Sequence, residues 1–190
     1  MPCRGLIVIS WATAELSKSA SPDTILFILS VTNGVLTVRS NRYFLIYEGI
    51  NDIGHANDSA VAQTLRVHRM IIFYKQIITR VHTLGIPVFG GTISPFMCPP
   101  GEPAENNLAE GPIRESTRLA VNDWIRTSGW FDAVVDFDEI LKSPKNSTLI
   151  NPAFNVGDCL HFNDAGNDEI AAKFPIEILR EFKNGVHKIQ

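Results

Sequence analysis

The chain has no surplus of basic residues: 17 Lys plus Arg stand against 20 Asp plus Glu, a formal net charge of −3. Without a basic patch, nucleic acid is not an expected partner. No apolar stretch reaches the roughly 18 residues of a membrane span, so none is expected. Only three cysteines occur, Cys3, Cys98 and Cys159, with no Cys-x-x-Cys spacing, and the five histidines form no paired metal signature. A structural zinc site is therefore not expected, and no metal or organic cofactor is needed. Internal repeats and low-complexity tracts are also missing. What is present, 190 residues of which 45% are hydrophobic and 19% charged, suffices for one globular core and not for two.

Residues 1–42 differ in pattern from the rest. Arg4 precedes the apolar run Leu6 to Trp11, and Ala12-Thr13-Ala14 has the small-x-small form of a signal-peptidase site. Two readings stand: a very short signal peptide, which would direct the chain outside the cell, or a buried strand from Gly5 to Ser10 running into a helix over Ala12 to Ser19. Asn33-Gly34, between the β-branched runs Ile25 to Val31 and Val35 to Val38, is a hairpin signal.

From Tyr43 the pattern alternates strand and helix, which calls for an α/β fold with a parallel sheet. Tyr43 to Tyr47 is continuously apolar, as a strand covered on both faces should be. Ser59 to Leu84 reads as one long amphipathic helix whose apolar members are Val61, Leu65, Ile72, Ile77, Val81 and Leu84, with Gly85 as its stop. His68 and His82 lie among its charged residues and read as solvated. Ile86 to Phe89 is the next strand, and Gly90-Gly91 would let backbones approach closely before a Pro- and Gly-rich loop. Pro112 opens a helix whose apolar members are Ile113, Leu119, Ala120, Trp124 and Ile125. Ala133 to Phe137 is a third strand, and a last helix starts near Asp164, kinked or split by Pro175.

Polar residues at the strand ends carry the chemistry. Asn51, just after the first of these strands, could donate its side-chain N–H to an oxyanion, or could simply belong to an Asn-Asp turn. Asp158, three residues before His161, could accept the Nδ1 proton and leave Nε2 as a general base; a loop carboxylate beside a solvated imidazole has the same spacing.

Taken together, Gly49-Ile50-Asn51-Asp52 and Asp158-Cys159-Leu160-His161-Phe162-Asn163-Asp164-Ala165-Gly166 resemble the Gly-x-Asn-Asp and Asp-x-x-His-Pro-Asn-x-x-Gly motifs of the SGNH, or GDSL-type, esterase and lipase superfamily. The stretches 88–96, 121–129 and 131–141 resemble the same family, most of all its fungal members. The resemblance covers residues 43 to about 180 and implies a three-layer α/β/α, flavodoxin-like domain over 43–185, preceded by an atypical N-terminal region over 1–42. It also implies hydrolysis of acyl or acetyl esters, those of plant cell-wall polysaccharides among them, by a monomer. Asn51 would be the oxyanion donor, His161 the general base and Asp158 its orienting carboxylate. A small-molecule or polysaccharide ester is the implied partner.

This chain departs from the family pattern at Phe162, where the family has proline, and more deeply at its nucleophile. No Gly-Asp-Ser occurs anywhere, and 1–42 resemble none of the family's opening elements. Activity is accordingly expected to be impaired, with a non-catalytic ester- or glycan-binding protein, or a truncated or misjoined product, as the alternatives. Ser10, after the run Leu6 to Ile9, is the candidate substitute nucleophile, and a helix N-cap is its plainer reading. In this fold the family's first strand is central, so either Leu6 to Ile9 or Ile25 to Leu29 is expected beside Tyr43 to Tyr47. Cys98 and Cys159 would meet at the same rim of the sheet, as a disulfide bracing the His161 loop or as two unrelated thiols.

Overall fold

The computed structural model describes residues 6–9, by their backbone, together with 43–99 and 111–186. The candidate nucleophile Ser10, the Asn33-Gly34 hairpin, the helix over 12–19, the strand over 25–29, Cys3 and His187 lie outside the described residues.

Four parallel strands form one sheet in the order β1 (Leu6–Ile9), β2 (Tyr43–Ile46), β3 (Val88–Gly91) and β4 (Ala133–Val135). β1 takes the place beside β2 expected of one of the two N-terminal runs, in the register Leu6↔Tyr43 to Ile9↔Ile46. β2 then pairs with β3 through Phe44↔Val88, and β3 with β4 through Phe89↔Ala133.

Alternation along β2 and β3 divides the core in two, because successive side chains point to opposite faces. Phe44, Ile46 and Val88 pack on one face against α2 (Ala60–His82) and α3 (Pro112–Thr127), through Met70, Tyr74, Ile78, Val121 and Ile125. Tyr43, Leu45, Phe89 and Val135 pack on the other against α4 (Phe137–Leu141), α5 (Asp164–Lys173) and α6 (Glu177–Glu181). Helices on both faces of a parallel sheet make this an α/β fold of three layers. Two connections, β2 to β3 and β3 to β4, put α2 and α3 on the same face, as crossovers of one hand require. Pro175 separates α5 from α6.

The Gly90-Gly91 pair accommodates rings rather than backbone. A Cβ on Gly90 would lie 2.7 Å from Phe131, and one on Gly91 2.7 Å from Phe137, so each glycine receives an aromatic ring on its own face of β3.

The faces that α2 and α3 bury differ from those expected. Val61, Leu65, Ile72 and Leu84 are about half exposed or more, whereas Gln63, Met70, Tyr74, Ile78, Val81 and His82 are buried. On α3, Ile113 and Leu119 are exposed while Glu115, Thr117, Arg118, Val121, Asn122 and Ile125 are buried. Both helices carry apolar residues on more than one side, so spacing alone does not select the stripe that meets the sheet. Polar partners select it. His82 is 3% exposed, with Nε2 2.7 Å from Asp132 Oδ2, an oxygen that also accepts the Val88 N–H at 2.7 Å. It is a core residue and not the solvated histidine of the sequence reading.

Arg118 lies deepest, at 1% exposure. Its Nε and Nη2 donate to Glu115 at 2.8 and 2.6 Å, and its Nη1 to Asp138 at 2.5 Å and to the Ile93 carbonyl at 3.0 Å. Replacing it leaves two carboxylates with little access to water and no compensating charge. Arg118→Ala is expected to lose about 3–5 kcal/mol of stability, measured by urea unfolding. Arg118→Lys should recover only part of that, because an ammonium cannot reproduce the planar fork.

Candidate active site

The chain leaving the carboxyl end of β3 is buried from Thr92 to Phe96 and is held by side chains rather than by another strand. Thr92 Oγ1 donates to Asp136 at 2.8 Å and accepts from the Asp138 N–H at 3.0 Å. Asn122 accepts the Ile93 N–H at 2.7 Å and donates to the Ile93 carbonyl at 2.8 Å. Tyr47, just past β2, donates to Ser94 Oγ at 2.9 Å and so ties the ends of the two strands. Burial pushes the Tyr47 phenol up to about 12, which keeps it a neutral donor at physiological pH.

Asn51 sits in the first turn of α1 (Ile50–His55), a short helix and not an open turn, directly beyond β2. Its approach is tightly set. Gly49 has φ +126°, and a Cβ there would meet Met70 and come within 2.9 Å of both Ile93 and the Tyr74 hydroxyl. The Gly of the Gly-x-Asn-Asp motif is thus required both by backbone conformation and by space. Tyr74 donates to the Glu48 carbonyl at 2.6 Å, and Gln63 Nε2 donates to the carbonyls of Ile53 and Asn57, each at 3.1 Å. Burial, then the nearby charges of Asp52 and Glu48, push the Tyr74 phenol well above its ordinary value.

Asp158 and His161 are brought together as their spacing suggested. The His161 Nδ1 and Asp158 Oδ2 are hydrogen-bonded, while Asp158 Oδ1 accepts from the backbone N–H of Leu160 at 2.9 Å and of His161 at 2.8 Å. Burial pushes the Asp158 carboxyl up, but the bonds from the His161 ring and from the two N–H groups outweigh it and hold the carboxyl below its usual range. An ionised carboxylate can only accept, so Nδ1 carries the proton and Nε2 is the nitrogen that can take one from a hydroxyl. The imidazole is 54% exposed, within reach of a substrate.

Cys98, on the loop after β3, and Cys159, between the two residues of this pair, form a disulfide with Cα atoms 5.4 Å apart. Asn51 and the His161 loop therefore both belong to the carboxyl rim of the sheet, where adjacent parallel strands deliver their loops. Gly166 closes the second motif: its N–H caps α5 on Asn163 Oδ1 at 3.0 Å, and a Cβ there would lie 2.7 Å from the Phe154 carbonyl. Among the described residues no group of three or more His, Cys, Asp and Glu side chains could hold a metal ion, and no helix is long and apolar enough to cross a membrane. Tyr74, Asn122 and Asn155 support the site and were not singled out in the sequence, where each looks like an ordinary helix or loop residue.

A family model of the GDSL-like lipases and acylhydrolases matches residues 14–169, most of the chain. The match begins within the N-terminal region and includes Asn51, Asp158 and His161. No curated protein matches the chain.

Two measurements check the geometry. Gly49→Ala should lower stability by about 1–3 kcal/mol, the scale of a side chain forced into a left-handed conformation, read from thermal unfolding. A carboxyl that binds its proton more weakly folded than unfolded adds stability that is full above its ordinary value of 3.8 and is lost as pH falls through the depressed one. The stability gap between the chain and Asp158→Asn, followed by urea unfolding from about pH 6 to about pH 2, should therefore close on the acid side. A gap independent of pH would show that the carboxylate makes no such contribution.

Proposed function

The chain belongs to the GDSL-like lipase/acylhydrolase family, and from that premise, which makes ester hydrolysis its general chemistry, we propose that it acts on acyl or acetyl esters with His161, Asp158 and Asn51 as its working residues. The observation that carries this reading is the Asp158–His161 pair, with Nδ1 engaged and Nε2 left as the base. His161 Nε2 would take the proton of a serine hydroxyl as its oxygen attacks the ester carbonyl. The Asn51 side-chain N–H would donate to the developing oxyanion, a contribution of about 3 kcal/mol for a preorganised donor. The imidazolium, stabilised by Asp158, would return the proton to the leaving alcohol, and water would release the acid from the acyl-enzyme by the same steps reversed.

Serine is the weak point. The sequence contains no Gly-Asp-Ser, so Ser10, which follows β1 in the chain, is the residue assigned to attack. A nucleophile outside the family's usual motif implies a rate well below that of a complete triad. Plant cell-wall polysaccharide esters are the substrate class favoured by the likeness to fungal members. The missing motif also favours a second reading, in which the same rim binds an ester or a glycan without turnover.

Hydrolysis of p-nitrophenyl acetate by the 190-residue chain, beside His161→Ala and Ser10→Ala, separates the two. With all three shown folded by circular dichroism, turnover above buffer in the parent and its loss in both variants is the expected result. Turnover that survives Ser10→Ala would remove Ser10 from the mechanism. No turnover in the parent would overturn hydrolysis and leave the binding reading.

A further inference from the structure

The His161 loop is short of regular structure and long on unusual backbone. Gly157 has φ +106° and Cys159 φ +63°, so two residues of a five-residue stretch from Gly157 to His161 are left-handed, one of them not glycine. A non-glycine residue adopts that conformation only where its surroundings over-determine it, at a cost of about 1–3 kcal/mol. Asn155 supplies much of what is needed. Its Oδ1 accepts from the Gly157 N–H at 2.6 Å and from the Cys159 N–H at 3.1 Å, and its Nδ2 donates to the His161 carbonyl at 3.0 Å. One carboxamide thus holds both left-handed residues at one end and the backbone of His161 at the other.

Asn155 is itself anchored. Its backbone forms an isolated antiparallel bridge with Phe162, the Val156 N–H donates to the His161 carbonyl at 3.1 Å, and Asn163 Nδ2 donates to the Asn155 carbonyl at 3.2 Å. The Cys98–Cys159 disulfide ties the same loop to the chain after β3. We propose that Asn155 is a positioning residue for His161: its carboxamide sets the loop backbone so that the Asp158 carboxylate meets Nδ1 and the proton-accepting nitrogen is Nε2. It acts through the backbone and touches no substrate. Both ends of the amide are used, so aspartate cannot replace it: a carboxylate oxygen would face the His161 carbonyl where an N–H now donates.

This inference rests on the reading of His161 as the general base, and its test does not need turnover. The 15N chemical shifts of the His161 imidazole report which nitrogen carries the proton in the neutral ring. In the full chain the Nδ1–H form is expected to dominate, although free imidazole side chains favour Nε2–H. Asn155→Asp and Asn155→Ala, each with an unfolding midpoint showing a folded chain, should shift the ring toward Nε2–H. An unchanged Nδ1–H majority in folded Asn155→Asp would overturn the proposal. If neither variant folds, amide hydrogen exchange in the unaltered chain decides it: Gly157 and Cys159 N–H should exchange more slowly than in unstructured chain, and exchange at the unstructured rate would overturn it. Hydrolysis that depends on His161 together with a tautomer unmoved by Asn155→Asp would sink the positioning role alone. A shifted tautomer in a chain that hydrolyses no ester would sink only the hydrolytic reading.

Discussion

Arg118 is enclosed by the carboxylates of Glu115 and Asp138 and by the carbonyl of Ile93, and the path of the chain beyond β3 follows from that enclosure. Where β3 ends, Thr92 and Ile93 keep backbone donors and acceptors inside the protein with no strand to pair them, and each unmade bond would cost about 1–3 kcal/mol. Arg118 and Asn122 from α3 satisfy Ile93, while Asp136 and the start of α4 engage Thr92. Arg126 adds a second cation, donating to Asp136 at 2.7 Å and to Asp138 at 2.7 Å. Burying these charges is not by itself stabilising, since desolvation offsets much of the attraction. The network instead makes one arrangement of β3, α3 and α4 acceptable and leaves alternatives with uncompensated charge.

That arrangement is what gives the rim of the sheet its shape. The segment from Ser94 to Phe96, held under Tyr47, delivers Cys98 to the place where Cys159 can join it. On the neighbouring strand, Tyr74 and Gln63 fasten both ends of α1 and so fix the turn that carries Asn51. The two halves of the site are built differently. Asn51 is placed by the packing of a helix against a glycine that admits no Cβ, whereas His161 is placed by hydrogen bonds inside its own loop and by one covalent tie. The first is secured by side chains distant in sequence, the second mostly by near neighbours.

Legibility in the sequence divides along the same line. The Asp158–His161 pair could be read from spacing because both residues lie in one tight turn, where separation in sequence dictates separation in space. β2 was legible because five successive apolar residues leave few other structures open, and α2 because its Ser59 cap and the left-handed Gly85 mark its ends. The buried faces of α2 and α3 were not legible. A rule that puts apolar residues inside picks Ile72 and Leu119, both exposed, over Gln63 and Arg118, both buried. His82 escaped for the same reason: its partner Asp132 is fifty positions away and gives no local sign.

By itself, then, the sequence determined the alternation of strands and helices from Tyr43 onward, the conformations that only glycine accepts at the Gly-x-Asn-Asp motif, and the carboxylate and imidazole that meet within one loop. These are consequences of short-range sterics and of the chain's own periodicity. Only the tertiary structure decided which faces are buried, that Cys98 reaches Cys159 across 61 residues, and that Asn155 and Arg118 are structural keystones. Each of those depends on a polar atom finding a partner from another part of the chain, and a buried polar group is acceptable or costly according to that partner alone.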